Sequence, residues 1–93
     1  MRILILILFM LLGSCAGTKN NDELTLQDIF DQGMDNLKNS KYLQAQSDFK
    51  SVLIRGTGTD LGDDAQYFLG ESYYRNKEYL LAIAEYEKLA RKM

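Results

Sequence analysis

Gly70-Glu71-Ser72-Tyr73-Tyr74-Arg75-Asn76-Lys77-Glu78-Tyr79-Leu80-Leu81-Ala82-Ile83-Ala84-Glu85-Tyr86 is the stretch that decides the fold. Leading into it, Ala65, Phe68, Leu69, Ser72 and Tyr73 recur at the spacing of one helix face, partly polar. Arg75-Asn76-Lys77 breaks that face, and Tyr79, Ala82, Ile83, Tyr86, Leu89, Ala90 and Met93 begin another. Two amphipathic stripes around a short polar break predict a helical hairpin. The same text stands upstream. Leu26, Ile29, Phe30, Gly33, Met34 and Leu37 form a stripe, Lys38-Asn39-Ser40-Lys41 breaks it, and Tyr42, Ala45, Phe49, Val52 and Leu53 follow. Gly33 pairs with Gly70, Tyr42 with Tyr79, Ala45 with Ala82, Phe49 with Tyr86 and Val52 with Leu89, each at an offset of 37. Self-similarity at a fixed period marks a repeat array.

Punctuation agrees with four helices. Thr25 is placed to cap the first, with Asp28 at its positive end. Gly56-Thr57-Gly58-Thr59 reads as a loop with Gly62 close behind, and Asp60 or Asp63 is expected to cap the third helix. Proline is absent from the chain, which suits a largely helical one.

These residues resemble the tetratricopeptide repeat, whose pattern sets a small residue on the first helix of each hairpin and an alanine and an aromatic on the second. Here those are Gly33, Ala45 and Phe49, then Gly70, Ala82 and Tyr86. The resemblance implies an all-α fold in which the small residues let paired helices approach and the aromatic fills the gap to the next hairpin. The signature tryptophan is missing, with Ile29 and Gln66 at its positions, and so is the proline that ends each repeat. A generic four-helix bundle is the alternative.

The N-terminus is built differently. Arg2 is the lone charge in the first eighteen residues, and Ile3 to Leu12 is an unbroken run of ten apolar residues. A spanning helix needs about 20. Ten residues behind a positive charge instead suit the apolar region of a signal peptide. Leu12-Gly13-Ser14-Cys15 resembles the lipobox of bacterial lipoproteins: a leucine, two small residues and a cysteine. The resemblance implies cleavage between Ser14 and Cys15, a diacylglyceryl group on the Cys15 thiol, and acylation of the new amino end. Two or three chains make a stable anchor where one is marginal. An ordinary signal peptide with a chance cysteine and an uncleaved anchor are the alternatives. Ala16 to Glu23 is small and polar, a tether between lipid and domain. By the common sorting rule, the lack of Asp at position 16 favours the outer membrane. The expected organisation is a signal peptide over 1–14, lipidated Cys15 and tether over 15–24, and repeats over 25–59 and 60–93.

Without residues 1–14 the chain has 79 residues, ten Lys or Arg against thirteen Asp or Glu. That is one small, mildly acidic domain, with no basic face for nucleic acid. Cys15 is the single cysteine and histidine is absent, so neither a disulfide framework nor a histidine or cysteine catalytic pair is expected. Asp63-Asp64 and Glu85 with Glu87 are paired carboxylates, read as a cap and a solvated face rather than acid–base or metal groups. Gly56-Thr57-Gly58-Thr59 lacks the lysine of a phosphate-binding loop. No enzyme activity, metal or cofactor is expected beyond the lipid on Cys15.

A lipobox, a short tether and two repeats whose period exceeds the usual one of about 34 residues together resemble the BamD family of lipoproteins, which serve the machine that inserts β-barrels into the outer membrane. Tyr73-Tyr74-Arg75-Asn76 followed by Leu81-Ala82 is particularly similar to that family's second repeat. The resemblance implies an outer-membrane, periplasm-facing scaffold. Its partners would be barrel-assembly proteins and unfolded barrel substrates. It covers only the front of that family's array, and family contacts to the barrel-inserting partner lie mostly in later repeats. Another repeat-bearing lipoprotein, such as a pilus-biogenesis pilot or a cell-envelope coordinator, is the alternative.

Repeat arrays bind peptides in the concave groove lined by the first helix of each hairpin. By register that groove takes Gln27, Phe30, Met34, Leu37 and Lys38 from the first repeat, and Asp64, Tyr67, Glu71, Tyr74 and Arg75 from the second. Met34, Lys38, Tyr67, Glu71, Tyr74 and Arg75 are the candidate contacts; the competing role for Tyr67 and Tyr74 is packing or capping of the array. Hairpins do not cover their own apolar faces, so the strongly apolar fourth helix is expected to keep one flank open. A longer array, self-association or marginal folding would each follow from that.

Overall fold

The computed structural model describes residues 24–93, so the expectations for Leu12, Gly13, Ser14 and Cys15 lie outside the described residues. Thr25 opens the first helix, α1 (Leu26–Lys38), with a capping box. Its hydroxyl accepts from the Asp28 amide at 3.1 Å, and its own amide donates to the Asp28 carboxylate at 3.1 Å. Three more helices follow, α2 (Tyr42–Arg55), α3 (Asp60–Arg75) and α4 (Tyr79–Ala90), and the described fold is all-helical.

The turn inside each hairpin repeats bond for bond. Ser40 N–H donates to the Leu37 carbonyl and Lys41 N–H to Asn36; 37 residues later Lys77 donates to Tyr74 and Glu78 to Tyr73. This is the Schellman arrangement, and it puts Ser40 and Lys77 in the left-handed region at φ 62° and 65°. The link between hairpins is different. Thr59, not Asp60 or Asp63, caps α3: its hydroxyl accepts from Gly62 N–H at 3.0 Å and donates to the Gly56 carbonyl at 2.6 Å. Thr59 has the extended backbone a cap requires, whereas Asp60 and Asp63 fall within the first turn, where their charge still meets the positive helix end. A side chain on Gly62 would collide with the Gly56 carbonyl, so the link is tied down by two glycines and one threonine.

Each helix packs on the next, α1 also meets α3 lightly, and α4 packs on α3 alone. The core is Leu37, Ala45, Phe49, Val52, Ala65, Leu69, Tyr73 and Ala82. Phe49 is its centre. Its ring meets Phe30 edge-on at 5.6 Å and stacks on Phe68 at 5.8 Å, which joins α1, α2 and α3. The small positions pack as the repeat pattern requires. A Cβ on Gly33 would stand 2.8 Å from the Phe49 ring, and one on Gly70 would stand 2.6 Å from Tyr86.

Polar groups enter this core in pairs. Glu85, expected with Glu87 on a solvated face, is buried instead, while Glu87 is exposed. Glu85 turns toward α3, accepting from Gln66 at 3.2 Å and from Lys88 at 3.2 Å; Lys92 donates to Gln66 at 2.9 Å. Gln66, at a tryptophan position of the repeat pattern, thus replaces ring packing with a hydrogen-bonded bridge between α3 and α4. Buried Gln46 of α2 donates to Glu78, the residue that precedes α4, at 3.4 Å. Every buried side-chain nitrogen and oxygen among the described residues has a partner.

Candidate peptide-binding groove

The candidate site begins with the residues of α3 that the α2 and α4 contacts leave uncovered. Tyr67, Glu71 and Tyr74 stand four and three residues apart, on one stripe of that helix, with Arg75 beside them. Tyr67 and Tyr74 are exposed, at 43% and 56%. Neither ring is loose. Tyr67 meets Phe68 edge-on at 5.0 Å and lies 6.0 Å from Tyr86, and Tyr74 meets Tyr79 edge-on at 5.4 Å. Each ring therefore keeps one face for packing and one for solvent.

Glu71 lies between them. It accepts from the Tyr86 hydroxyl at 2.7 Å, and Arg75 approaches it at 3.9 Å. Burial, and then the Glu71 carboxylate beside it, hold the Tyr86 hydroxyl protonated well above the ordinary tyrosine range. Tyr86 thus acts as a fixed donor that sets the Glu71 rotamer. The register of the first helices gave no sign of this partner, because Tyr86 is on the second helix. Its 37-residue offset from Phe49 was the available signal, since both close over a glycine.

On α1 the expectations divide. Lys38 is exposed in the last turn and Met34 is half-buried against the core. No hydrogen bond, ion pair or ring contact among the described residues ties either to the α3 stripe. Phe30 and Leu37 do not line a groove: Leu37 is buried and Phe30 packs into the aromatic cluster, because both face α2 and α3. Gln27 and Asp64 are exposed, Gln27 donating to Asp31 at 2.8 Å.

The structure places Tyr67, Glu71, Tyr74 and Arg75 together along one side of α3, while Met34 packs against the core and Lys38 is exposed at the end of α1. Two aromatic pads lie about 10 Å apart along the helix, from its rise per residue. A carboxylate and a guanidinium stand between and beside them. The pads offer rigid area for apolar side chains, and Arg75 offers a fork for a carboxylate. No cluster of three metal-ligating side chains occurs among the described residues, and no described helix is long and apolar enough to cross a membrane. Compared with known proteins, the chain matches no family model and no curated sequence.

Proposed function

We propose that this chain is a lipid-anchored helical-repeat scaffold of outer-membrane β-barrel assembly, holding peptide segments of unfolded barrel substrates or assembly partners on α3. The observation that carries the reading is the half-exposed pair Tyr67 and Tyr74 around the Tyr86-fixed Glu71. It supplies a binding stripe on the helix type that lines the groove of a repeat array. The lipobox residues Leu12-Gly13-Ser14-Cys15 support attachment to the membrane, and the tether 16–24 supports reach from it. Arg75, beside the stripe, adds positive charge that a substrate's terminal carboxylate would meet.

Titration with peptides from the termini of barrel proteins tests the binding half. Tyr67→Ala with Tyr74→Ala is expected to weaken affinity at least tenfold while circular dichroism keeps its helical signal. Unchanged affinity removes the groove from the reading. Palmitate labelling tests the anchor: wild type is expected to take label and Cys15→Ser to take none. A labelled serine variant contradicts lipidation at that residue. Crosslinking in the envelope that traps a secretin or a division protein, and no barrel component, would redirect the scaffold to pilus biogenesis or envelope coordination.

A further inference from the structure

Glu71 is the charged group of the α3 stripe that is held in place. Its Oε1 accepts from the Tyr86 hydroxyl at 2.7 Å, and its side chain is 24% exposed, so the carboxylate is anchored at one oxygen and still meets solvent. The other oxygen, Oε2, has the Arg75 guanidinium at 3.9 Å, beyond hydrogen-bond length. The Arg75 side chain is 49% exposed, and exposed pairs of this kind hold weakly. The anchor itself is permanent. Burial first, and then Glu71, hold the Tyr86 hydroxyl protonated, and Tyr67 and Tyr74 stand near enough to it to add to that effect.

These surroundings favour a cation. Tyr67 and Tyr74 flank Glu71, about 6 Å and about 4.5 Å from it along the helix axis, and both side chains are exposed. The face of an aromatic ring is negative and attracts an ammonium or a guanidinium. An anion would meet the same faces and a carboxylate of its own sign, with the loosely held Arg75 to attract it. A group that is already ordered costs less to engage than one that must be ordered on binding. Anchored Glu71 is therefore the stronger charged contact of the two.

We infer that the α3 stripe selects peptide segments bearing a lysine or arginine side chain, with the cation seated on Glu71 between the rings of Tyr67 and Tyr74 and apolar neighbours lying on those rings. The inference rests on the reading of this stripe as a peptide-binding surface and names what that surface prefers. The incoming cation takes the place of Arg75, which turns to solvent or to a carboxylate of the same segment. Tyr86 is a positioning residue: it acts on the ligand through Glu71, by fixing where the carboxylate points.

The test uses the full chain in nanodiscs of zwitterionic phosphatidylcholine and three fluorescent peptides with blocked ends, Leu-Ser-Lys-Ser-Leu and its versions with glutamine or glutamate at the centre. The lysine peptide is expected to bind at least tenfold more tightly than the glutamine peptide, and the glutamate peptide most weakly. Glu71→Gln, which can still accept from Tyr86, is expected to erase the lysine preference with helicity intact. Tyr86→Phe keeps its ring over Gly70 and is expected to cut the preference at least threefold. Asp35→Asn, at an exposed acid of α1, leaves the preference unchanged, which separates the site from a general attraction to an acidic chain. Binding without a lysine preference, or a preference that Glu71→Gln keeps, overturns the inference and leaves the peptide-binding reading standing. Tightest binding of the glutamate peptide overturns it in favour of Arg75. Failure of all three peptides to bind overturns it as well, and the titration with barrel termini then shows whether the peptide-binding reading falls with it.

Discussion

At the scale of single residues, the two glycines under aromatic rings carry the sharpest contrast. Gly33 and Gly70 are equivalent, yet Phe49 is enclosed by Phe30 and Phe68 while Tyr86 is half-exposed. An added methyl in a packed core costs about 1–3 kcal/mol, against about 1 kcal/mol gained in helix propensity over glycine. Gly33→Ala is therefore expected to lower the urea midpoint clearly, and Gly70→Ala less, because the half-exposed Tyr86 can move outward at the cost of its hydrogen bond to Glu71, whereas the enclosed Phe49 has nowhere to go. Equal losses would contradict the packing described for Phe49. Lys77 offers the opposite test: its left-handed backbone suits glycine, so Lys77→Gly is expected to add about 0.5 kcal/mol in the same assay. Asp48 gives a pH signature. Burial raises its carboxyl above 3.8, although the hydrogen bond from Asn36 at 2.7 Å pulls the other way. The folded state then holds the proton more tightly than the unfolded chain. The stability this contributes is full below 3.8 and is lost as pH rises through the raised value. Relative to Asp48→Asn, wild type is expected to gain as pH falls from 7 to 4, read by urea denaturation at each pH. Thr25 and Asp28 were legible in sequence because a capping box is a local pattern. Glu85 was not, since its burial depends on Gln66 nineteen positions away on another helix.

Among elements, the hairpins follow from the 37-residue offset, and the structure repeats them down to the turn hydrogen bonds. Gly33 over Phe49 and Gly70 over Tyr86 are the same close approach read twice from one spacing. The link between α2 and α3 was harder to read. Gly56-Thr57-Gly58-Thr59 has a loop's composition, and the nearby aspartates are good caps by type, so nothing in the sequence singled out Thr59. Its hydroxyl bonds both ends of the link. Thr59→Ala is expected to cost about 1–2 kcal/mol, the upper part of the range for a helix cap, while Asp60→Ala stays within about 0.5 kcal/mol, as exposed substitutions usually do. Equal costs would return the capping role to the aspartate. The shared face of Tyr67, Glu71 and Tyr74 was legible on α3 from helical spacing, whereas Phe30 and Leu37, placed by register beside it on α1, serve the core. Helical spacing locates a face but does not say which of two neighbours will cover it.

On the scale of the whole molecule, the two ends differ in kind. α1 turns Asp28, Asp31 and Asp35 outward, and α4 turns Ile83, Leu80 and Leu81 outward. The open flank of the fourth helix was expected from its apolar content, because a hairpin buries one face and needs a neighbour for the other. Between those ends, the proposed function rests on the stripe of α3 and on an anchor upstream of the described residues. The most direct measurement places a photo-crosslinking amino acid at position 74 of the lipid-anchored chain in its native envelope, with position 43 as the control. The account expects adducts with unfolded barrel proteins from position 74 and none from position 43. Equal labelling from both positions, or adducts that contain no barrel protein or assembly partner, would contradict it.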